Sequence, residues 1–153
     1  NMVGDHHRYA TATDTNTEKG FDRGTLADNA VISGDTLTLS SGNSSGKWTV
    51  QLPYHPVGVG VNSWEGLTFS TNMPSGTDIQ VDILDHNGNV LASDISSGTD
   101  LSTISGTDHA GIQIEVTLSS TSSNVPELLE IQQDFKPAVL GDQSAAWTEV
   151  ASI

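Results

Sequence analysis

The sequence predicts an all-β protein, an antiparallel β-sandwich (jelly roll) of about eight to nine strands. Apolar side chains alternate with polar ones over short runs, as in strands with one packed face and one solvated face. Turn-forming residues fill the gaps between these runs, and the 153 residues include 15 glycines. No long run repeats with the period of a helix, apart from a weak candidate at 128–135.

The predicted strands follow one another along the chain from residue 31 to residue 131. Each is marked by apolar residues that recur at every second position or lie side by side, and turns or prolines separate them. The apolar sets are Val31 and Ile32; Leu37 and Leu39; Trp48, Val50 and Leu52; Val57, Val59 and Val61; Leu67 and Phe69; Ile79, Val81 and Ile83; Val90 and Leu91; Ile112, Ile114, Val116 and Leu118; and Leu128, Leu129 and Ile131.

Two turns are predicted from their residue types. Asn87-Gly88 follows an alternating run and precedes another, which is the pattern of a tight β-hairpin, because both central residues of that turn require positive φ. Pro74 and Gly76 mark a second turn, in which proline fixes one dihedral and glycine relaxes another.

Three segments are expected from the distribution of apolar residues. Residues 1–20 are polar and Thr-rich, and we interpret them as an N-terminal arm that has too little apolar surface to anchor itself. Residues 21–137 form the β-sandwich domain. Residues 138–153 are more apolar than a disordered segment, so they are interpreted as a C-terminal docking tail.

The charge of the chain excludes some partners. Nineteen acidic residues against five basic ones give a formal net charge of -14. Nucleic acid and anionic membrane surfaces are therefore not expected as partners. No apolar stretch approaches the roughly 20 residues of a membrane-spanning helix, so no membrane insertion is expected either. A strong acidic excess is typical of proteins from marine or halophilic surroundings, because it keeps them soluble at high ionic strength.

Catalytic motifs are missing from the sequence. The chain has no cysteine, which removes disulfides and thiolate chemistry. Neither a nucleophile elbow, a zinc-binding HExxH helix nor a phosphate-binding loop is present. Carboxylates for a glycosidase exist at Glu65, Glu115, Glu127 and Glu130, but an acidic chain offers such residues in any case. These observations predict that the chain is not an enzyme and needs no cofactor.

One loop has the composition of a calcium site. Asp85, Asn87 and Asn89 offer oxygen atoms at alternate positions around Gly88, as ligands for a hard cation do. The glutamate that would complete an EF-hand loop is absent, since Ser96 stands in its place. The same residues suit a hairpin turn, so calcium is the alternative interpretation here.

Exposed aromatic side chains decide whether a sugar ring has a surface on which to stack. Trp48 shares the parity of its apolar neighbours and is predicted to lie in the core. Trp64 has the opposite parity to Leu67 and Phe69 in a continuous strand, so it is a candidate glycan platform, and Tyr54 is a second one.

The two ends contain short segments that are able to form strands. Tyr9 in the arm, and Trp147 and Val150 in the tail, are candidates for assembly contacts in which each segment adds to the sheet edge of a neighbouring chain. The alternative is that both ends fold back on their own sandwich.

The turns and core positions also carry a resemblance to a known class of domain. The segments are GKWT at 46–49, Trp64, PSGTDI at 74–79, GTDLS at 98–102, VTLSS at 116–120 and PELLEI at 126–131. In these segments the chain resembles jelly-roll accessory modules, which occur in extracellular, cell-surface and virion proteins and in carbohydrate-binding modules. The resemblance covers about 21–135, and it implies the fold more than a function.

Together these features predict a non-enzymatic structural or adhesion module on the outside of a larger assembly. The assembly would be a virion, with the chain as a decoration or tail protein, or a cell surface, and the arm and tail would contact neighbouring chains. The alternative is a carbohydrate-binding module of a secreted polysaccharide-degrading enzyme, with surface glycans as its ligands. Both interpretations place the chain outside the cell, on a cell surface or on a virion.

Overall fold

A computed structural model describes residues 6–7, 21, 24–40, 44–52, 61–137 and 147–149, and this part of the chain contains strands and turns but no α-helix. These described residues contain twelve strands. They are β1 (His6–His7), β2 (Thr25–Asp28), β3 (Ala30–Ser33), β4 (Thr36–Leu39), β5 (Ser45–Leu52), β6 (Val61–Asn72), β7 (Thr77–Asp85), β8 (Val90–Ala92), β9 (Thr99–Asp100), β10 (Ile112–Ser120), β11 (Glu127–Pro137) and β12 (Trp147–Glu149).

Eight of the strands form a jelly roll. One sheet has the order β4-β11-β6-β9 and the other has the order β5-β10-β7-β8. The chain therefore crosses from sheet to sheet as it passes from β4 to β7, and β10 and β11 return to the centres of the two sheets. All neighbours in these two orders are antiparallel, which confirms the predicted fold class.

The other four strands extend the two sheets. β2 pairs with β5 at the edge of the five-stranded sheet, and β3 forms a hairpin with β4 in the seven-stranded sheet. β12 pairs antiparallel with the end of β11, and β1 pairs parallel with β12. The short strands of both ends thus join the chain's own sheet, which is the alternative that the sequence left open. The boundaries at 20 and 137 stay predictions.

The core lies between the inward faces of the two sheets. Strict alternation in β5 and β10 buries every second side chain, from Trp48 to Leu52 and from Ile112 to Leu118. Leu67, Ile131 and Phe135 of the seven-stranded sheet belong to the same cluster. A side chain of this size contributes about 1.5–3 kcal/mol when it is fully buried, so this cluster is the main source of stability.

Both predicted turns are present, but the hairpin turn has positive φ at Gly88 and not at Asn87. Gly88 has a φ of 94° in the hairpin between β7 and β8. Gly76 has a φ of 83° between β6 and β7, and a Cβ atom there would lie 2.7 Å from the Cβ of Ser122. Side chains of Ser122 and Asn124 donate hydrogen bonds to the Ser75 carbonyl, both at 2.9 Å. This turn is therefore fixed against the β10–β11 link.

The weak helical candidate at 128–135 is part of strand β11 instead. Its consecutive leucines mimic a helical spacing because β11 carries an extra residue at this point. Leu128 pairs with Thr71 and Glu130 pairs with Ser70, so Leu129 has no partner in β6. The bulge, rather than a helix, accounts for the irregular pattern.

Candidate functional site

The outward face of the five-stranded sheet is the candidate site, because polar side chains of three neighbouring strands share one surface there. Alternation places core residues on one side of β5, β7 and β10 and mostly polar residues on the other, where Leu84 is the apolar member. We call the outward set the polar face, and it consists of Lys47, Thr49 and Gln51 on β5, Gln80 and Asp82 on β7, and Gln113, Glu115 and Thr117 on β10.

The register of β10 with its two neighbours sets the layout of the polar face. Glu115 lies between Thr49 and Asp82, and its carboxylate is at the centre of the face. In the next row along the strands, Thr117 lies between Lys47 and Gln80. Short threonine side chains thus alternate with the longer ones in these two rows.

Lys47 and Glu115 form an ion pair across neighbouring strands. The Nζ and Oε2 atoms are 3.8 Å apart, and the two side chains are 42% and 22% exposed. Lys47 is also the one lysine or arginine among the residues whose side chains the structure describes. An exposed pair of this kind contributes about 1 kcal/mol or less, so it orients Glu115 more than it stabilises the fold.

Asp82 is held by donors from its own strand and from the segment after β8. Its Oδ1 accepts hydrogen bonds from the Asp94 backbone N–H at 2.7 Å and from Ser93 Oγ at 3.3 Å. Gln80 Nε2 donates to both oxygens at 3.1 and 3.3 Å. These hydrogen bonds fix the carboxylate in position. Asp82 is also nearly buried, with 8% of its surface exposed.

Two glutamine amides on the polar face are held by backbone carbonyls. Gln51 Nε2 donates to the carbonyls of Leu52 and Ile112 at 3.2 and 3.1 Å. Gln113 Nε2 donates to the carbonyl of His86 at 3.3 Å. Since the amide nitrogens are engaged in this way, the Oε1 atoms remain as acceptors, and no described residue donates to either of them.

The polar face therefore presents oriented hydrogen-bond acceptors. The fixed groups are the nearly buried carboxylate of Asp82, the carboxylate of Glu115 and the amide oxygens of Gln51 and Gln113. The remaining donors are threonine hydroxyl groups and the Lys47 ammonium, which is paired with Glu115. A surface with many acceptors binds ligands that bring donors, such as hydroxyl or N–H groups.

The prediction of an exposed platform at Trp64 is wrong. Trp64 is 1% exposed, and its indole Nε1 donates to the carbonyl of His109 at 2.8 Å. Its ring packs against Phe135, with 5.7 Å between ring centroids. The reason is a β-bulge: Phe135 pairs with Trp64 and Gln133 pairs with Leu67, so β6 has one extra residue here. The extra residue reverses the parity and turns Trp64 inward.

Gln133 is the residue at this bulge that sequence reasoning missed. It is 1% exposed, and its Nε2 donates to the carbonyls of Glu65 and Asp134 at 3.1 and 2.8 Å. Its Oε1 has no partner among the described residues. Gly66 within an alternating strand was the available indication, because a glycine inside a strand often marks a bulge.

The other predicted aromatic and assembly residues fall in different parts of the chain. Trp48 is fully buried as predicted, and its Nε1 donates to the Phe21 carbonyl at 3.0 Å. Tyr54, Tyr9 and Val150 lie outside the described residues. Trp147 begins β12 and pairs with Phe135 through its backbone. Contacts of these residues with glycans or neighbouring chains stay predictions.

The loop proposed for calcium is a hairpin whose aspartate is engaged within the turn. Asp85 Oδ1 accepts from the backbone N–H groups of Asn87 and Asn89 at 2.8 and 2.9 Å, and Asn89 Nδ2 donates to Oδ2 at 3.1 Å. The bonds from Asn89 are the main reason why the pKa of Asp85 is lowered from its usual 3.8. No group of three or more candidate metal-ligating side chains occurs in the described ranges. Calcium binding at these residues stays a prediction.

The four glutamates considered for glycoside hydrolysis are divided between the two sheets. Glu115 is on the polar face, whereas Glu65, Glu127 and Glu130 are on strands of the seven-stranded sheet. Glu127 Oε1 accepts a hydrogen bond from Asn72 Nδ2 at 2.9 Å. Glu115 is therefore the one member of this set that lies at the candidate site. In the part of the chain that is described, no helix is long and apolar enough to span a membrane.

Comparisons with known proteins give a structural similarity. No protein-family model and no curated protein matches the sequence. The crystal structure of the enzymatically active domain of tailspike protein 4 from bacteriophage CBA120 is similar to this chain, with a TM-score of 0.47 and 15% sequence identity. The similarity covers 80% of this chain and 21% of that chain.

This finding contradicts the prediction that the chain is not an enzyme, because the similar domain is described as enzymatically active. We therefore withdraw the non-enzymatic interpretation. The similarity carries no argument about the ligand, reaction or residues of this chain, since one fold serves many functions.

Proposed function

We propose that this chain is a carbohydrate-binding jelly-roll module of a virion or another extracellular surface assembly, and that the polar face is its glycan site. The observation that carries the proposal is the set of fixed acceptors on that face. Glu115, Asp82, Gln51 and Gln113 are each oriented by a salt bridge or by hydrogen bonds.

The chemistry of a glycan matches such a surface. A sugar ring carries several hydroxyl groups at fixed spacing, and each is able to donate one hydrogen bond. Side chains that are already held by their neighbours lose little further conformational entropy when they accept those bonds. Trp64 is buried, so stacking by that residue does not contribute, and the proposal relies on hydrogen bonds on the polar face.

A binding experiment tests the proposal. The intact chain is screened on an array of glycans, and the affinity for the best ligand is then measured by calorimetry for the native chain and for Gln113→Ala. We expect the substitution to weaken binding about two- to tenfold, because it removes one hydrogen bond of about 0.5–1.5 kcal/mol.

The matched control is Gln132→Ala. Gln132 lies on β11 in the other sheet, where its Nε2 donates to Asp134 Oδ1 at 3.0 Å. The control should bind like the native chain. If no glycan binds to the native chain, or if both variants lose affinity equally, the polar face is not a glycan site.

A second candidate function is assembly through the ends of the chain, and the position of β1 favours it. β1 is the outermost strand of the seven-stranded sheet, because it pairs with β12 and with no other described strand. A strand at the edge of a sheet is a place where another chain can add a strand.

Light scattering tests assembly on the full chain and on a version without residues 1–20, at low and high salt. An oligomer that dissociates without the arm would support assembly through the ends. A monomer of unchanged mass in every condition would contradict it.

A further inference from the structure

We infer that the polar face selects uncharged glycans and rejects acidic ones, an inference that rests on the proposed glycan-binding function. Two independent properties of the face lead to it. One is the excess of hydrogen-bond acceptors over free donors, and the other is the sign of the local charge.

Because the polar face has more hydrogen-bond acceptors than free donors, ligand groups that donate find partners there more readily than groups that only accept. Carboxylate and sulfate groups of acidic sugars are acceptors only, whereas hydroxyl groups also donate. The donors on the face are mostly engaged: Gln51 and Gln113 donate to backbone carbonyls, and Gln80 donates to Asp82. An acidic substituent placed here would therefore lose its hydration and find few donors, namely the threonine hydroxyl groups and the Lys47 ammonium that Glu115 already engages. A desolvated charge with too few partners is costly.

The charge on the face acts in the same direction. Asp82 and Glu115 are direct neighbours across β7 and β10, and Asp78 lies further along β7. The nearby cation is Lys47, whose ammonium is already 3.8 Å from Glu115. The chain as a whole has a formal net charge of -14, so the long-range field repels anions as well.

Cationic glycans differ from uncharged ones in how they would bind. An acidic protein attracts a polymer with amino groups over its whole surface, and added salt screens that attraction within about 10 Å at 0.1 M. Binding of an uncharged glycan to the polar face relies on hydrogen bonds and should change little with salt. Salt dependence therefore separates specific binding on the face from general attraction.

The experiment uses an array of matched glycans, each backbone being present in an unmodified form and in sulfated and sialylated forms. We expect the intact chain to bind unmodified members and to bind their acidic counterparts at least about tenfold more weakly. Preference for acidic members would overturn the inference while leaving glycan binding intact. Binding of no member at all would instead refute the proposed function.

Two variants with the same change in net charge locate the effect. Glu115→Gln removes a charge from the polar face and releases Lys47, so binding of acidic members should rise at least about threefold. Glu127→Gln removes a charge from the other sheet and should leave the preference unchanged. If both variants raise acidic binding equally, net charge and not the polar face sets the selectivity, and the inference is wrong.

Discussion

The two tryptophans in the core play corresponding roles in the two sheets, yet the sequence pattern identified only one of them. Trp48 packs edge-to-face against Phe21, with ring centroids 5.6 Å apart, and donates to the carbonyl of the same residue. Trp64 packs against Phe135 and donates to His109. Each ring thus anchors a segment outside the central strands, the start of the sandwich in one case and the loop before β10 in the other.

The difference between them is one extra residue in a strand. β5 alternates without interruption, so Trp48 shares the parity of Val50. β6 contains the bulge at Glu65 and Gly66, so a count of residues from Leu67 gives Trp64 the wrong face. Odd or even position along a strand therefore predicts which side of the sheet a side chain faces only within a segment that has no bulge. A glycine inside a strand often marks a bulge that interrupts this alternation, so residues on its two sides should be assigned separately.

The largest expected effects come from removing either ring. Trp48→Ala and Trp64→Ala should each lower the free energy of unfolding by about 3–5 kcal/mol, because both leave a large cavity in a packed core. Chemical denaturation measures this, with Leu26→Ala as a control in which an exposed side chain is removed. A loss of under about 1 kcal/mol for Trp64→Ala would show that this ring is exposed, and the two tryptophans would then not be equivalent.

A smaller effect is expected at the bulge itself. Gln133→Met keeps the volume of the side chain but removes the amide that donates to Glu65 and Asp134, so two carbonyls lose a donor. We expect a loss of about 1–3 kcal/mol in the free energy of unfolding. Gln132→Met, on the outward side of the same strand, should change stability by about 0.5 kcal/mol or less. Equal losses in the two variants would mean that the buried amide does not hold the bulge.

The smallest expected changes in stability come from replacing the glycines near the two tryptophans, Gly24 near Trp48 and Gly66 near Trp64, with alanine. A Cβ at Gly24 would lie 2.2 Å from Trp48 Nε1, whereas a Cβ at Gly66 would meet nothing within 4 Å. Gly24→Ala should cost about 1–2 kcal/mol, because Trp48 has to move. Gly66→Ala should change stability by about 1 kcal/mol at most, in either direction. Thermal unfolding of both variants measures the contrast, and a tolerated alanine at residue 24 would contradict the tight packing around Trp48.

The fold was predictable from the sequence because it depends on local patterns. Alternation in β10 and the turn at Asn87-Gly88 each lie within a few residues, and both are present, although Gly88 is the one residue of that turn with positive φ. The candidate site was not predictable in the same way. Glu115 was noted only as one of many carboxylates, because its neighbours on the face are set by the pairing of β10 with β5 and β7. Alternation does not determine which strands are neighbours in a sheet.

The position of β10 also has a consequence for how the chain folds. Its partners β5 and β7 precede it, and Ile112 pairs with Leu52 from a distant part of the sequence. Contacts between distant residues slow folding to milliseconds or seconds in all-β proteins, whereas local contacts allow microseconds. Until β10 inserts, β5 and β7 each expose an unpaired edge to which another unfinished chain is able to add. The acidic excess then protects the folding chain from aggregation, because like-charged chains repel one another while these edges are open.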